Sequence, residues 1–271
     1  IVIGKSVATN LTTGTNNIAI GEDALDLENT GTYQIAIGYR AGYKNRLSDT
    51  SYNTFIGNSA GRENTSGNDN TYIGNGAGYG VDAGHGDNNT AVGKYAIFNI
   101  LGDNTTAIGN EAGYYASGSS NTFVGSEAGK GGTTSAPYSS GQENTAVGYQ
   151  AFDAFTSATF NTTVGMHSLG ANTTGNYNTA LGHSAMKINT SGGANVALGY
   201  AAANNLNGGN YNVAIGNGAG YNLGGVANTV LIGNAAGYAI NSTDANATVA
   251  IGYQALNALT SGTNNTAVGY E

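Results

Sequence analysis

Glu111 and Glu127 stand sixteen residues apart, each two residues after a glycine of a recurring tetrapeptide, and they are the carboxylate pair whose spacing could hold a cation. If those glycines mark one corner of successive turns of a coil, the carboxylates lie about 5 Å apart. Such a like-charge stack is unfavourable unless screened, and a bridging Ca2+ would relieve it. Gln150 takes the next equivalent position, so the cluster stops at two, and the paired-glycine and Asp signature of calcium-binding repeats is missing. Screening by water and salt is the plainer reading, which leaves Glu111 and Glu127 as weak metal candidates. His85, His167 and His183 occupy different repeat positions without a recurring Ser or Asp partner, so no nucleophile and base recur together. No glycine run leads into a helix that could cradle phosphate. The expectation is a chain with no enzymatic activity and no cofactor.

Recognition chemistry has more to work with. Tyrosine follows the repeat glycine at Tyr39, Tyr149, Tyr200, Tyr253 and Tyr270, and lies five residues after it at Tyr43, Tyr79, Tyr114, Tyr221 and Tyr238. Aromatic rows of this kind can stack on sugar rings or on a neighbouring fibre; equally, they can stack on themselves and shield backbone. The longest insertion, Lys130 to Gln142, holds Pro137, the one proline of the chain, and Tyr138. Loops on a rigid scaffold are where recognition concentrates, although a surface insertion can also be merely tolerated. Asn-x-Ser/Thr triplets such as those at Asn104 and Asn172 are by-products of an Asn-Thr repeat.

What must position these residues follows from an odd inventory. The 271 residues include 45 Gly, one Pro and no Cys or Trp. Ile, Val, Leu and Phe together fall under the roughly 20% at which disorder becomes the expectation if net charge is also high. Net charge is only −8, too dilute to hold the chain open. Composition excludes an ordinary globular core, a collagen, a disulfide scaffold and a basic nucleic-acid binder.

Self-similarity resolves the rest. A tetrapeptide of β-branched residue, small residue (with Phe55, Tyr72 and Phe123 as bulky exceptions), Ile/Val/Leu and Gly recurs sixteen times, most gaps being 17 residues, with Gly21, Gly38, Gly148, Gly182 and Gly216 among its glycines. Ala follows three residues later in thirteen of fifteen complete repeats, and Asn precedes the glycine by four in eleven of fifteen, including Asn53, Asn121 and Asn178. A period near 17 fits one coil of an all-β parallel β-solenoid of about 15 coils, roughly 70 Å long at 4.8 Å per coil. Each coil is expected to hold two short strands and two turns. Stacked Ile, Val and Thr are expected to point inward and fill the coil, with the Ala faces free to pack against another layer. On that reading the Thr slot, shared with Ile18, Ile35, Val196, Val213 and Val230, is interior, which argues against a surface Thr array for binding ice. Glycines supply bends, and Asn amides bond along the axis at a corner. Apolar burial per coil is small against the entropy of ordering it, so the chain is expected to need partners of its own kind. No apolar run approaches a membrane span. The whole chain, 1–271, reads as one repetitive segment whose ends fall within repeats, as expected of part of a longer fibre or a unit that stacks end to end.

At Asn144 to Ala151 (Asn-Thr-Ala-Val-Gly-Tyr-Gln-Ala), with close copies at Asn178 to Ala185 and Val249 to Ala255, the sequence resembles the head repeats of trimeric autotransporter adhesins. It is also similar to repeats of bacteriophage tail-fibre shafts and of secreted bacterial proteins that end in an intramolecular chaperone domain. The repeat here is longer than the typical adhesin one. The resemblance implies a left-handed β-roll, a homotrimer and an extracellular or virion location. The resulting expectation is a non-enzymatic extracellular fibre segment that presents adhesive loops to a host surface or glycan, without nucleic-acid binding or membrane insertion. A self-assembling structural filament, a phage tail fibre and an ice-binding solenoid are the alternatives.

Overall fold

The computed structural model describes residues 1–45, 51–80, 85–99, 101–133, 138–242 and 245–271. It is an all-β parallel solenoid with no α-helix among those residues, its sixteen strands marking about fifteen coils. Two compact units divide it, the first built on residues 1–130 and the second on residues 141–271. In the first, β1 (Val2–Ile3), β2 (Ile18–Ile20), β3 (Ile35–Ile37), β4 (Thr54–Ile56), β5 (Thr71–Ile73), β6 (Thr90–Val92), β7 (Thr106–Ile108) and β8 (Thr122–Val124) pair in sequence order, all in parallel. The second repeats this with β9 (Thr145–Val147), β10 (Thr162–Val164), β11 (Thr179–Leu181), β12 (Val196–Leu198), β13 (Val213–Ile215), β14 (Val230–Ile232), β15 (Val249–Ile251) and β16 (Thr266–Val268). Register is set by repeat position, so Val196 faces Val213 and Leu198 faces Ile215.

Each coil carries one strand of three residues at most, not the two strands expected. The reason lies in the backbone after the glycine. Residues two and four after it adopt positive φ, as at Asp23 (58°) and Leu25 (49°). The N–H groups of these two positive-φ residues point to opposite neighbours along the axis, while that of Ala24 between them bonds within the coil to Gly21 O at 3.3 Å. Asp23 N donates back to Lys5 O at 3.1 Å, and Leu25 N donates forward to Ala41 O at 3.0 Å. The turn segment thereby satisfies its backbone groups between coils as a sheet would, without strand dihedrals. At the bend itself, Gly182 has φ +138°, and a Cβ there would lie 2.3 Å from Gly199 O. Both the dihedral and the spacing demand glycine. Gly21, Gly38, Gly148 and Gly216 repeat this arrangement, with φ between 126° and 137°.

The expected direction of the side chains is reversed. In β2 to β15 the middle residue of the strand is the interior one: Ala19, Ala36, Ala91, Ala180 and Ala214 are fully buried, as are Phe55, Tyr72, Phe123 and Leu231. The Ala three residues after the glycine joins them, for example Ala24, Ala60 and Ala219. The flanking Ile, Val, Leu and Thr point outward and are half-buried or exposed. Alanine therefore fills the coil, and the argument that the Thr slot is interior fails with it. The cause is the narrow space between the strand and the turn after the glycine, where a large side chain from one of the two positions leaves no room for one from the other. Where the middle residue is large, the residue four after the glycine is Gly, as in the pairs Phe55 with Gly61 and Tyr72 with Gly78. A Cβ on Gly61 would lie 2.4 Å from the Phe55 ring, and one on Gly78 would lie 2.3 Å from the Tyr72 ring. Beside Ala19, Ala91, Ala146 and Ala180 the other position supplies Leu25, Ile97, Phe152 and Met186, all fully buried; beside Ala36, Ala107 and Ala214 it is Gly42, Gly113 and Gly220, against which Phe55, Phe123 and Leu231 of the next coil pack. In the tenth coil, Thr163 bonds through its hydroxyl to Ser168, the one Ser that replaces the recurring Ala.

Asn corners hold the coils in register. Asn53 Oδ1 accepts from Asn70 N at 2.9 Å, while its Nδ2 donates to Gly67 O at 2.9 Å. Asn178 accepts from Asn195 N at 3.1 Å and donates to Gly192 O at 2.8 Å. Asn121 donates to Gly118 O at 3.0 Å. The amides do bond along the axis, but mostly to backbone. A buried amide meeting two backbone groups is a polar group fully satisfied.

Candidate functional site

The outward sheet face recurs from coil to coil. Its third strand position is aliphatic in all sixteen strands, and Leu198 is 46% and Ile108 43% exposed. The first position is Thr in β4 to β8 of one unit and in β9 to β11 of the other, Ile in β2 and β3, and Val in β12 to β15. Each unit thus displays its own regular face of Thr or Val beside Ile, Val or Leu. Contiguous apolar rows of this extent are uncommon on a soluble monomer and mark contact surfaces.

Aromatic columns line other corners. In the first unit, Arg62 lies between Tyr43 and Tyr79, its guanidinium 5.8 and 5.2 Å from the two ring centroids, and it also donates to the Tyr79 hydroxyl. Tyr79, Phe98 and Tyr114 then stack at 4.8 Å, within 10° of parallel. Tyr115 packs edge-on against Tyr114 at 4.5 Å and lies 6.3 Å from Tyr138, so the insertion's tyrosine joins the end of this column. Pro137 lies outside the described residues. In the second unit, Tyr221 stacks on Tyr238 at 4.9 Å, His183 on Tyr200 at 5.3 Å and Tyr253 on Tyr270 at 5.0 Å. Rings stacked in this way cover one another's faces and present edges outward.

Glu111 and Glu127 are brought together as their spacing implies, with a lysine between them. Lys130 Nζ lies 2.7 Å from Glu111 Oε2 and 3.5 Å from Glu127 Oε2. The hydrogen bond to Glu111 raises the Lys130 pKa, with the charges of Glu111 and Glu127 adding to it. The ammonium supplies the positive charge that a like-charged stack needs. Among the described residues, no group of three or more His, Cys, Asp or Glu is placed to hold a metal ion. Burial also raises the Tyr114 hydroxyl, next to Tyr115 and Glu111.

His85, read from sequence as having no recurring partner, is buried inside its coil beside Tyr72, with ring centroids 6.3 Å apart. Neither of its ring nitrogens meets a hydrogen-bond partner among the described residues, and burial pushes its pKa down to about 4.

A third column, five residues before the repeat glycine, adds to the two tyrosine rows named from the sequence; its fixed offset from that glycine is the signal that could have found it. It holds Tyr33 stacked on Tyr52 at 5.3 Å in the first unit, and Phe160 on Tyr177 at 5.0 Å, with Tyr211 further along, in the second. Its register emerges once the insertions are aligned from strand to strand.

Together the fold and these surfaces define a parallel β-solenoid repeat protein with one patterned sheet face and three aromatic corner columns. Comparison with protein-family models, with curated proteins and with solved structures finds no match for this chain.

Proposed function

We propose that this chain is a segment of a non-enzymatic extracellular fibre, a left-handed β-roll that assembles as a homotrimer, spans distance and presents corner aromatics and insertion loops to a host surface or glycan. The observation that carries this reading is the outward aliphatic row, an unbroken series of Ile, Val and Leu at one strand position. Covering it removes apolar surface from water at about 25 cal/mol per Å2, and copies of one chain can do so in matching register because every copy has the same rung spacing. This interface replaces the alanine faces, which are occupied inside the coil. Light scattering after size-exclusion chromatography tests it. Three copies are expected, and Leu198→Asp combined with Ile215→Asp is expected to yield folded monomer. A wild-type chain that remains a folded monomer at micromolar concentration overturns the proposal.

One observation favours a second reading. Thr54, Thr71, Thr90, Thr106 and Thr122 face outward on consecutive strands, each two residues before an outward Ile or Val. Regular hydroxyls and methyls at about 4.8 Å spacing form an array of the sort that orders water on an ice lattice. The two readings use the same face and are separated by measuring thermal hysteresis: an ice-binding solenoid arrests crystal growth, and a fibre shaft does not.

A further inference from the structure

The third aromatic column has a gap one ring wide. In the second unit, Phe160 and Tyr177 stack within 2° of parallel, the next coil places Ala194 at this position, and the coil after that places Tyr211. Coil-to-coil bonds fix the register: Tyr177 N donates to Thr159 O at 3.2 Å, Ala194 N to Asn176 O at 2.9 Å and Tyr211 N to Gly193 O at 3.2 Å. Tyr177 and Tyr211 are therefore two rungs apart, about 9.6 Å at about 4.8 Å per rung. A ring entering over Ala194 would sit about 5 Å from each, half that two-rung separation and the spacing that Phe160 and Tyr177 already show. Both tyrosines stand clear of the surface, 62% and 67% exposed. The space between them is a cavity of about 250 Å3, smaller than the ~300–1,000 Å3 of sites for drug-sized ligands and suited to a single ring.

Polar groups complete the lining. Thr174, Asn176, Ser191 and Asn210 contribute hydroxyls and amides, and Gly193 contributes backbone. Asn176 Oδ1 accepts from Thr159 N at 2.7 Å, and Asn210 Oδ1 accepts from Gly193 N at 2.7 Å. Each amide is thus anchored through its oxygen and oriented with its NH2 as the free end; that of Asn210 makes only a 3.4 Å contact with Gly208 O. We propose that this slot is a binding site for one hexopyranose whose ring hydroxyls are all equatorial, a β-glucoside being the simplest case. Such a sugar presents C–H groups on both faces, which suits two aromatic walls, and hydroxyls around its rim, which suits the amides and hydroxyls of the lining. A planar aromatic guest would fill the same gap but leave those polar groups unpaired, at a cost.

The site stands whether or not the chain trimerises. Its test is saturation-transfer NMR of methyl β-D-glucopyranoside with the full chain, beside phenol and a mannoside whose axial 2-hydroxyl spoils one face. Saturation of the glucoside ring protons is expected, stronger than for the mannoside. Ala194→Tyr continues the column through the gap. It should fold, because Tyr177 and Tyr211 hold this backbone conformation at φ 61° and 59° against 56° at Ala194, and it should reduce the glucoside signal at least tenfold. Tyr211→Ala, which removes one wall, should reduce it similarly. A glucoside signal that survives Ala194→Tyr with the circular dichroism unchanged overturns the proposal, as does saturation of phenol without saturation of the glucoside.

Discussion

Phe55 and Gly61 share one cross-section of the lumen, and exchanging their sizes tests the packing rule directly. Phe55 is fully buried and stacks on Tyr72 at 5.5 Å, so Phe55→Ala should cost about 3–5 kcal/mol, as large-to-small core changes do. Gly61→Leu alone places a Cβ 2.4 Å from the Phe55 ring at φ +57°. Overpacking at about 1–3 kcal/mol and the left-handed dihedral at about 1–2 kcal/mol then add. The double variant Phe55→Ala with Gly61→Leu recreates the pair found in the second coil, where Ala19 faces a lumen filled by Leu25 at φ 49°. The introduced leucine side chain occupies the volume vacated by the ring, so the double variant should be more stable than the sum of the singles predicts by about 0.5–3 kcal/mol, the range seen for coupled neighbours. Guanidinium unfolding followed by far-UV circular dichroism measures the three differences, and hydrogen exchange at Thr54 and Leu25 shows whether the loss is local. Strict additivity would refute the reasoning, because it would mean that residues 55 and 61 do not compete for one space.

Glycine requirements should differ sharply by position. Gly182→Ala meets Gly199 O at 2.3 Å with φ +138° and should lower the melting temperature markedly, whereas Gly218→Ala sits at φ +61° with no contact under 3.4 Å, a conformation that Ala201 and Ala235 adopt in the neighbouring coils, and should lower it by less, through the left-handed dihedral alone. His85 makes stability depend on pH. Its folded pKa of about 4 lies below the ordinary histidine value of 6.5, so the unfolded chain binds the proton first. The contribution of the neutral buried ring is complete above pH 6.5 and is lost as pH falls from there toward 4, at most about 3 kcal/mol. Unfolding curves at about pH 7.5 and about pH 4.5, which bracket most of that window, should differ by less in His85→Gln than in the wild type, the carboxylates being common to both; an equal difference would assign the pH effect to those carboxylates.

The sequence by itself determined the period, one strand position per coil, the bends at Gly38 and Gly182 and the Asn corners. Each of these recurs in register with the repeat glycine and needs no knowledge of what lies opposite. It did not determine which face of the strand turns inward. Alternation defines two faces without labelling them, and the usual rule that large apolar residues are buried favoured Ile and Val. Only the closed coil decides, because it brings the middle strand residue and the residue four after the glycine into competition for one space. The label was nevertheless written in the sequence as a trade of sizes, Phe55 with Gly61 against Ala19 with Leu25, and as the matched hydroxyls of Thr163 and Ser168. Its partners lie five or six residues apart across a bend, where strand periodicity does not look. The ring-sized gap over Ala194 belongs wholly to the tertiary structure, since an alanine between two distant tyrosines becomes a cavity only when the coils stack those three residues in one column.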